Sequence, residues 1–380
     1  MPKRTVNLVA LLACVYTFGV AYAGILPWIT LKLEGREVAP VLIGVVSAAN
    51  AIGVMVMAPF AGRIVRRMGM ANGLLYWGLV SVVMLGLLPV FESVTGWIVL
   101  RFVGGLAGAV PWIVTETWIN MIAGEQSRAR VIALYAIALA AGFATGPVVL
   151  TLTGTQGLLP VATFLFISLV ALVPIVFIRR NAPEMGADED GDIWGAITAM
   201  PTVMLAVFVA GAVDASFFSF LPIWGTRAGF EPAHAVTLLS IFVAGNIVLQ
   251  FPIGWLADRI GPRKTMALSG LVCLAAPFLA LPVVASHAWL AGVLFIWGGA
   301  AWSLYALALV EIGHRLTGTA LATANGAIVL VYTLSNIAAP PVSGAAMQLW
   351  DPHGFLFISS IASVILLAVL TFRSLAMAKT

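Results

Sequence analysis

A single carboxylate, Asp214, stands in an apolar run that extends from about residue 197 to 224. It lies ten residues before Trp224, which is about 15 Å along a helix at 1.5 Å per residue. No Lys or Arg is within one helical turn of it. A carboxyl group there could bind a proton and exchange it for a solute, pair with a cationic solute, or act as a hydrogen-bonded packing residue. Arg101 is the one Lys or Arg inside such a run. Met200 and Met204 are spaced i,i+4, and two thioethers on one helix face could hold Cu(I). Methionine is also a common apolar filler, and no metal is expected. Cys14 and Cys273 both lie in apolar runs, so no disulfide framework is readable. A G-x-x-x-x-G-K-[ST] phosphate loop and a G-x-S-x-G elbow are both missing, and the four His are scattered. Neither an enzyme reaction, nor direct use of ATP on this chain, nor a cofactor is expected.

The elements that position these residues follow from composition. The 380 residues are 62% hydrophobic and 9% charged, with mean hydropathy +1.07. A soluble domain carries about 25% charged residues, so the solvent of this chain is lipid. A soluble globular enzyme, a disordered chain and a nucleic-acid binder are excluded. A membrane helix needs about 20 apolar residues. Twelve such runs are readable, at 8–29, 40–62, 72–90, 95–118, 129–151, 158–178, 197–224, 235–257, 264–284, 288–310, 318–343 and 354–374. They are continuously apolar, without the period-two alternation of barrel strands. The first run, with Lys3 and Arg4 before it and Ala21-Tyr22-Ala23 within it, imitates a signal peptide. It continues through Pro27 and Trp28 and has a counterpart later in the chain, so a retained helix is expected. Of the 19 Lys and Arg, 15 fall on one side of the membrane; Lys32, Arg36 and Arg227 fall on the other, and Arg101 within. That split predicts both termini in the cytoplasm. It also accounts for the net charge of +4 without nucleic acid.

The chain reads as a duplication. The polar segment Arg179 to Asp192, with acids at Asp188 and Asp190, separates two sets of six spans. Gly53, Gly62 and Gly69 match Gly245, Gly254 and Gly261 at an offset of 192. Leu26-Pro27 matches Leu221-Pro222 at 195, as do Gly104 and Glu116 with Gly299 and Glu311, and Pro147 matches Pro341 at 194. The expected fold is an all-α membrane protein with twelve transmembrane helices in two pseudo-symmetric bundles. The expected division is 1–178 for the first bundle, 179–196 for a cytoplasmic linker and 197–380 for the second. Duplicated halves are common among transporters, with the site near midplane.

Gly254-Trp255-Leu256-Ala257-Asp258-Arg259-Ile260-Gly261-Pro262-Arg263-Lys264 resembles the cytoplasmic loop motif G-x-L-A-D-R-x-G-R-K of the major facilitator superfamily. The first-half copy, Gly62 to Gly69, carries Arg66 where that motif has Asp, and is similar in this to a bacterial branch with a basic residue there. Arg101-Phe102-Val103-Gly104-Gly105 resembles the superfamily's fourth-helix motif, and Gly124 to Tyr135 its basic loop before helix five. Gly142-x-x-x-Gly146-Pro147 resembles part of an antiporter motif, although Leu150 and Thr151 replace its following glycines, and small residues four apart also simply permit close packing. Some branches of the superfamily import copper with a Met pair plus His-x-x-x-Met; here His234 is followed by Leu238.

The resemblance implies a secondary active transporter of the bacterial inner membrane, working by alternating access as a monomer, with a small solute and protons as its partners. It leans slightly to export of a drug-like or metabolite solute. A nutrient importer, for a vitamin such as a flavin or for copper, and a non-transporting receptor or scaffold are the alternatives. Asp214 and Arg101 are the implied proton-coupling or substrate residues. The helices that line the cavity in this superfamily supply Tyr16, Tyr22, Asn50, Trp112 and Thr115, then Ser216, Asn246, Gln250, Trp302, Tyr305, Asn325, Tyr332 and Asn336. Arg66, Glu116, Arg128, Asp258, Arg259 and Glu311 are the implied cytoplasmic gate. In it Asp258 meets guanidinium groups or a helix N-terminus, and Glu116 pairs with Arg66 or Arg128.

Overall fold

The computed structural model describes residues 3–91, 93–122, 128–183, 192–283 and 286–377. The order of helices is α1 (Lys3–Glu34), α2 (Pro40–Met68), α3 (Met70–Leu87), α4 (Val94–Ile122), α5 (Arg128–Thr153), α6 (Leu159–Ile178), α7 (Ile193–Ala199), α8 (Pro201–Arg227), α9 (Pro232–Ile260), α10 (Pro262–Ala280), α11 (His287–Gly313), α12 (Gly318–Leu349) and α13 (Phe357–Met377). Twelve are long and apolar enough to cross a membrane, and no strand occurs among the described residues. The protein is an all-α, multi-pass membrane protein.

The seventh span does not begin near residue 197 as expected. Residues 193–199 form the separate short helix α7, whose first turn is capped by the Asp192 carboxylate accepting from Gly195 N at 2.8 Å. Met200 leaves helical geometry at φ −128°, ψ 56°, and Pro201 starts α8 at its first turn. A residue before proline is pushed out of the helical region, and proline at a helix start gives up no hydrogen bond. Of the polar segment, residues 184–191, including Glu184 and the run Asp188 to Asp190, lie outside the described residues.

The chain forms two compact units, Met1–Glu37 with Val45–Asp188, and Val38–Gly44 with Glu189–Thr380. In the first, α1, α3, α4 and α6 enclose a core that includes Leu11, Leu74, Val110, Trp118 and Ile175, each at most 1% exposed. Small residues let α1 and α5 approach. A Cβ on Gly142 would overlap the Tyr16 carbonyl oxygen, and one on Gly146 would lie 2.6 Å from that of Val20. The G-x-x-x-G of α5 is therefore a packing seam. In the second unit α8 is buried along almost all of its length, from Thr202 to Gly225. Phe217 stacks on Phe242 at 4.5 Å and meets the Trp297 ring edge-on at 4.6 Å. The first residues of α2 belong here because Gly344 has no side chain to overlap the Pro40 carbonyl, nor Gly44 that of Pro340.

The duplication is built into the same contacts in both units. Gly53 and Gly105 let α2 and α4 touch at the Phe102 and Asn50 carbonyls; Gly245 and Gly298 let α9 and α11 touch at the Phe295 and Phe242 carbonyls. The turns that follow α2 and α9 each rest on a glycine with positive φ, Gly69 at 81° and Gly261 at 92°, a region costly for side chains with a Cβ. Overpacking a tight crossing costs about 1–3 kcal/mol. Gly298→Val is therefore expected to lower the denaturation midpoint of the detergent-solubilised protein, whereas Gly254→Val, with nothing within 4 Å of the added Cβ, leaves it unchanged. Equal midpoints for the two variants would show that the crossing is not tightly packed.

Candidate functional site

The polar residues of the second unit converge on the seam between α8 and α12. Asp214 sits midway along α8 and is 7% exposed. Its Oδ2 accepts a 2.6 Å hydrogen bond from the Tyr332 hydroxyl, while Oδ1 is buried and meets no hydrogen-bond donor among the described residues. Gly211, one turn earlier, makes room for this contact: a Cβ there would overlap the Ser335 hydroxyl and lie 3.0 Å from the Tyr332 ring. Tyr332 is held from two further sides. Its ring meets Tyr305 of α11 edge-on at 5.3 Å. Its carbonyl accepts from the Ser335 hydroxyl at 2.7 Å and from Asn336 Nδ2 at 2.8 Å. Two positions along α8, the Ser216 and Ser343 hydroxyls share a 2.7 Å bond. Asp214, Tyr332 and Tyr305 are thus joined through their side chains, while Ser216 and Ser343 form a separate contact of the same two helices. Asn246 is buried on α9, Trp302 is half-buried one turn before Tyr305, and Gln250 and Asn325 are exposed.

The first unit holds the opposite charge. Arg101 is 7% exposed, and its Nε and Nη2 are buried without an acceptor among the described residues. Tyr22 of α1 lies within its electrostatic reach. Asn50 serves the helix crossing, since its Nδ2 donates to the Arg101 carbonyl at 3.3 Å. Tyr16 donates to the Thr145 hydroxyl at 3.2 Å. Tyr22 packs against Phe18 and edge-on to Phe143, and Phe18 meets the Trp112 ring at 5.4 Å. Thr115 is turned back onto its own helix, donating to the Pro111 carbonyl at 2.7 Å.

At the arginine-rich ends of the helices the acid–arginine knot centres on Glu311. Its Oε1 accepts from Arg263 Nε at 2.8 Å and from Arg315 Nη2 at 2.5 Å. Asp258 is exposed and has no such partner among the described residues, which differs from the contact expected of it. Arg259 covers the Trp255 ring instead, its guanidinium carbon 3.8 Å from the centroid. Glu116 is exposed one turn after Trp112. Arg66 is exposed at the end of α2. The side chain of Arg128 lies outside the described residues, as do residues 123–127 of the basic loop.

The profile of the Major Facilitator Superfamily matches residues 8–308 and 203–376. The chain belongs to the Major Facilitator Superfamily. It is 27% identical over 92% of its length, and 91% of the relative's, to the uncharacterized MFS-type transporter YfkF of Bacillus subtilis. It is 24% identical, over 95% of each chain, to the uncharacterized MFS-type transporter YE1530 of Yersinia enterocolitica. Among solved structures it is similar to nucleoside transporter NupG, with TM-score 0.78 at 14% identity over 100% of each chain. A bacterial homolog of the human lysosomal transporter Spinster, inward-facing and unoccupied, matches at TM-score 0.79 and 14% identity, over 97% of this chain and 96% of that one.

As a superfamily member the protein is a transporter and not an enzyme. Sequence reasoning missed the partner choices: Tyr332 for Asp214, Ser343 for Ser216, and Arg263 with Arg315 for Glu311. Nothing in sequence spacing signals a bond between residues 118 positions apart. It also passed over a network at the far end of α8. There Arg227 pairs with Asp351 at 2.6 Å, and Trp224 Nε1 donates to His353 Nδ1 at 3.0 Å. Partial burial holds the His353 pKa below 6.5, with Asp351 acting in the opposite direction. The unfolded chain then takes up the proton first, so folded-state stability is lost as pH falls below about 6.5 and levels off beneath the folded pKa. Between pH 7.5 and 5 the thermal midpoint of the wild type is expected to fall further than that of His353→Gln, which cannot titrate. Parallel curves would show that His353 titrates without consequence.

Proposed function

We propose that this transporter moves a small solute across the bacterial inner membrane by alternating access and that a proton carried on Asp214 couples the movement. The observation that carries the reading is the state of that carboxyl group: buried in a membrane helix, one oxygen held by Tyr332, the other with no donor among the described residues. A charged carboxylate in such surroundings costs several kcal/mol unless it is paired. Protonation and deprotonation of Asp214 therefore favour different conformations, which is the differential interaction that any coupled transition requires. Tyr332 stabilises the charged form by one hydrogen bond, and its position on α12 ties the proton site to α12.

In this reading the moving parts are the bundles 1–178 and 197–380, joined by the 179–196 linker, and both termini are cytoplasmic, as the Lys and Arg placement supports. Arg101 and the aromatic side chains near Tyr22 are the first unit's candidates for contact with the solute. The knot of Arg263, Glu311 and Arg315 acts at the cytoplasmic gate. The slight lean toward export comes from the Gly142-x-x-x-Gly146-Pro147 resemblance, and the packing role of those glycines weakens it. The nucleoside transporter and the Spinster homolog share the fold at 14% identity, which leaves the solute to be found by a thermal-shift screen of vitamins, dyes, nucleosides, organic acids and Cu(I). A ligand at 100 times its Kd adds about 2.7 kcal/mol to the folded state.

With the solute in hand, reconstituted wild-type protein is expected to accumulate it against its gradient when a pH difference is imposed. Asp214→Asn should lose that accumulation while retaining solute counterflow, and Tyr332→Phe should shift the pH at which coupling is half-maximal. Accumulation by Asp214→Asn at the wild-type level would remove Asp214 from the mechanism.

A further inference from the structure

Trp224 and Arg227 lie three residues apart near the end of α8, and both hold the turn that joins α12 to α13. Arg227 Nη1 meets Asp351 Oδ1 at 2.6 Å, and Trp224 Nε1 donates to His353 Nδ1 at 3.0 Å. An indole nitrogen only donates, so Nδ1 must carry no proton and the imidazole is neutral, with its hydrogen on Nε2. Trp224 is fully buried and has no second acceptor among the described residues. His353, by contrast, is only half-buried, beside the half-exposed ring of Trp350, so a proton from water can reach it.

Protonation of Nδ1 turns the acceptor into a donor and sets two N–H groups against each other. Asp351 is the charged group that acts on His353, in the direction that favours the proton, and its carboxylate is already shared with Arg227. Arg227 has a further interaction besides Asp351, so its place on α8 does not depend on that carboxylate alone. The other titratable groups at this end lie on other elements. Glu231 and His234 face one another at 3.7 Å at the start of α9, and His287 packs on Phe230 at 4.9 Å at the start of α11. Glu37 is exposed, just before the α2 residues that pack on α12. Residues 284–285, between α10 and α11, lie outside the described residues and are Val and Ala.

We propose that Trp224, His353 and Asp351 form a proton-operated latch, in which a proton taken up by His353 releases the end of α8 from the turn between α12 and α13. His353 then exchanges Trp224 for the Asp351 carboxylate and competes for it with Arg227, so one proton loosens both bonds. The consequence reaches the candidate site, because α8 carries Asp214 ten residues before Trp224 and α12 carries Tyr332. Latched, the two helices are tied at this end as well as at the Asp214–Tyr332 and Ser216–Ser343 bonds; unlatched, those inner bonds are what joins them. The inference rests on the geometry of this end of the second unit, and on neither a solute nor a proton carried by Asp214.

The test uses the full chain in mild detergent, spin-labelled at Ala228→Cys and Leu349→Cys, one at the end of α8 and one at the end of α12; Cys14 and Cys273 are buried. Dipolar broadening of the frozen spectra reads the separation of the two labels between pH 7.5 and 5. With His353 in place the broadening is expected to diminish as pH falls. His353→Gln, whose side-chain oxygen can accept from Trp224 and cannot titrate, should keep the pH 7.5 spectrum throughout. Asp351→Asn, at an exposed residue, should move the transition to lower pH, because the anion that favours the proton is gone. Asp214→Asn should respond as the parent does. A spectrum that does not change with pH, an equal change in His353→Gln, or a transition unmoved in Asp351→Asn would overturn the latch. A response abolished by Asp214→Asn would assign the movement to that carboxyl group and overturn the latch as well.

Discussion

Hydrocarbon accepts no hydrogen bonds, and the rest of this protein follows from that constraint. Every backbone amide in the membrane must find its partner inside its own segment, which leaves helices as the form for continuously apolar runs. Helices in lipid gain little from burying one apolar face against another, because the solvent is equally apolar. Their association therefore depends on close approach, and the closest approaches here are made by glycine: Gly53 with Gly105, Gly245 with Gly298, Gly142 and Gly146 on α1. These positions set where each helix lies, and so set where the few polar side chains meet.

Against that background two of the buried charges, Asp214 and Arg101, have no oppositely charged partner among the described residues. Asp214 and Arg101 are each 7% exposed, in different units. Their surroundings differ in a way that bears on chemistry. The carboxyl group has a hydroxyl donor on one oxygen, and it can shed its charge by taking up a proton. A guanidinium group stays charged at any accessible pH, so the unsatisfied Nε and Nη2 of Arg101 make a standing demand for an acceptor. One group is suited to change state during a cycle and the other to remain a fixed positive point.

What could be read in the sequence was what depends on composition and local spacing. The twelve runs and the glycines at a fixed offset are of that kind and led to the fold, and the loop motif from Gly254 to Lys264 led to the superfamily. The start of the seventh span was misplaced because hydropathy does not register the break that Pro201 imposes on Met200, although the dipeptide itself was available as a signal. The hydrogen-bond partners were out of reach for another reason. Tyr332 was one of thirteen uncharged candidates of similar type, and only the approach of α12 at Gly211 distinguishes it. Thr115 looked like a cavity residue by type, yet a hydroxyl on a helix can always turn to the carbonyl one turn back. Asp258 matched its motif well, but the acid that gathers arginines is Glu311, which no spacing rule connects to Arg263 across 48 positions.

The repeat itself shows how a site arises on a duplicated scaffold. At the offset of 195 that relates Leu26-Pro27 to Leu221-Pro222, Asp214 corresponds to Gly19 and Gly211 to Tyr16. Gly19 belongs to the seam between α1 and α5, where an added Cβ would lie 3.2 Å from the Gly142 backbone. Asp214 belongs to the seam between α8 and α12, where it meets Tyr332. These are the same pair of helices in the two copies. In the first copy the seam is closed backbone to backbone and has no room for a carboxylate. In the second, the glycine has moved three positions earlier, and the space next to it is occupied by an acid and a tyrosine. The reverse holds one seam away. There the glycine contacts that pair Phe102 with Phe295 set Asn50 and Arg101 of the first copy against Phe242 and Leu294 of the second. Each half thus keeps the contacts that define the bundle and departs from its twin at the positions that can carry charge, so the polar side chains are added without surrendering the packing.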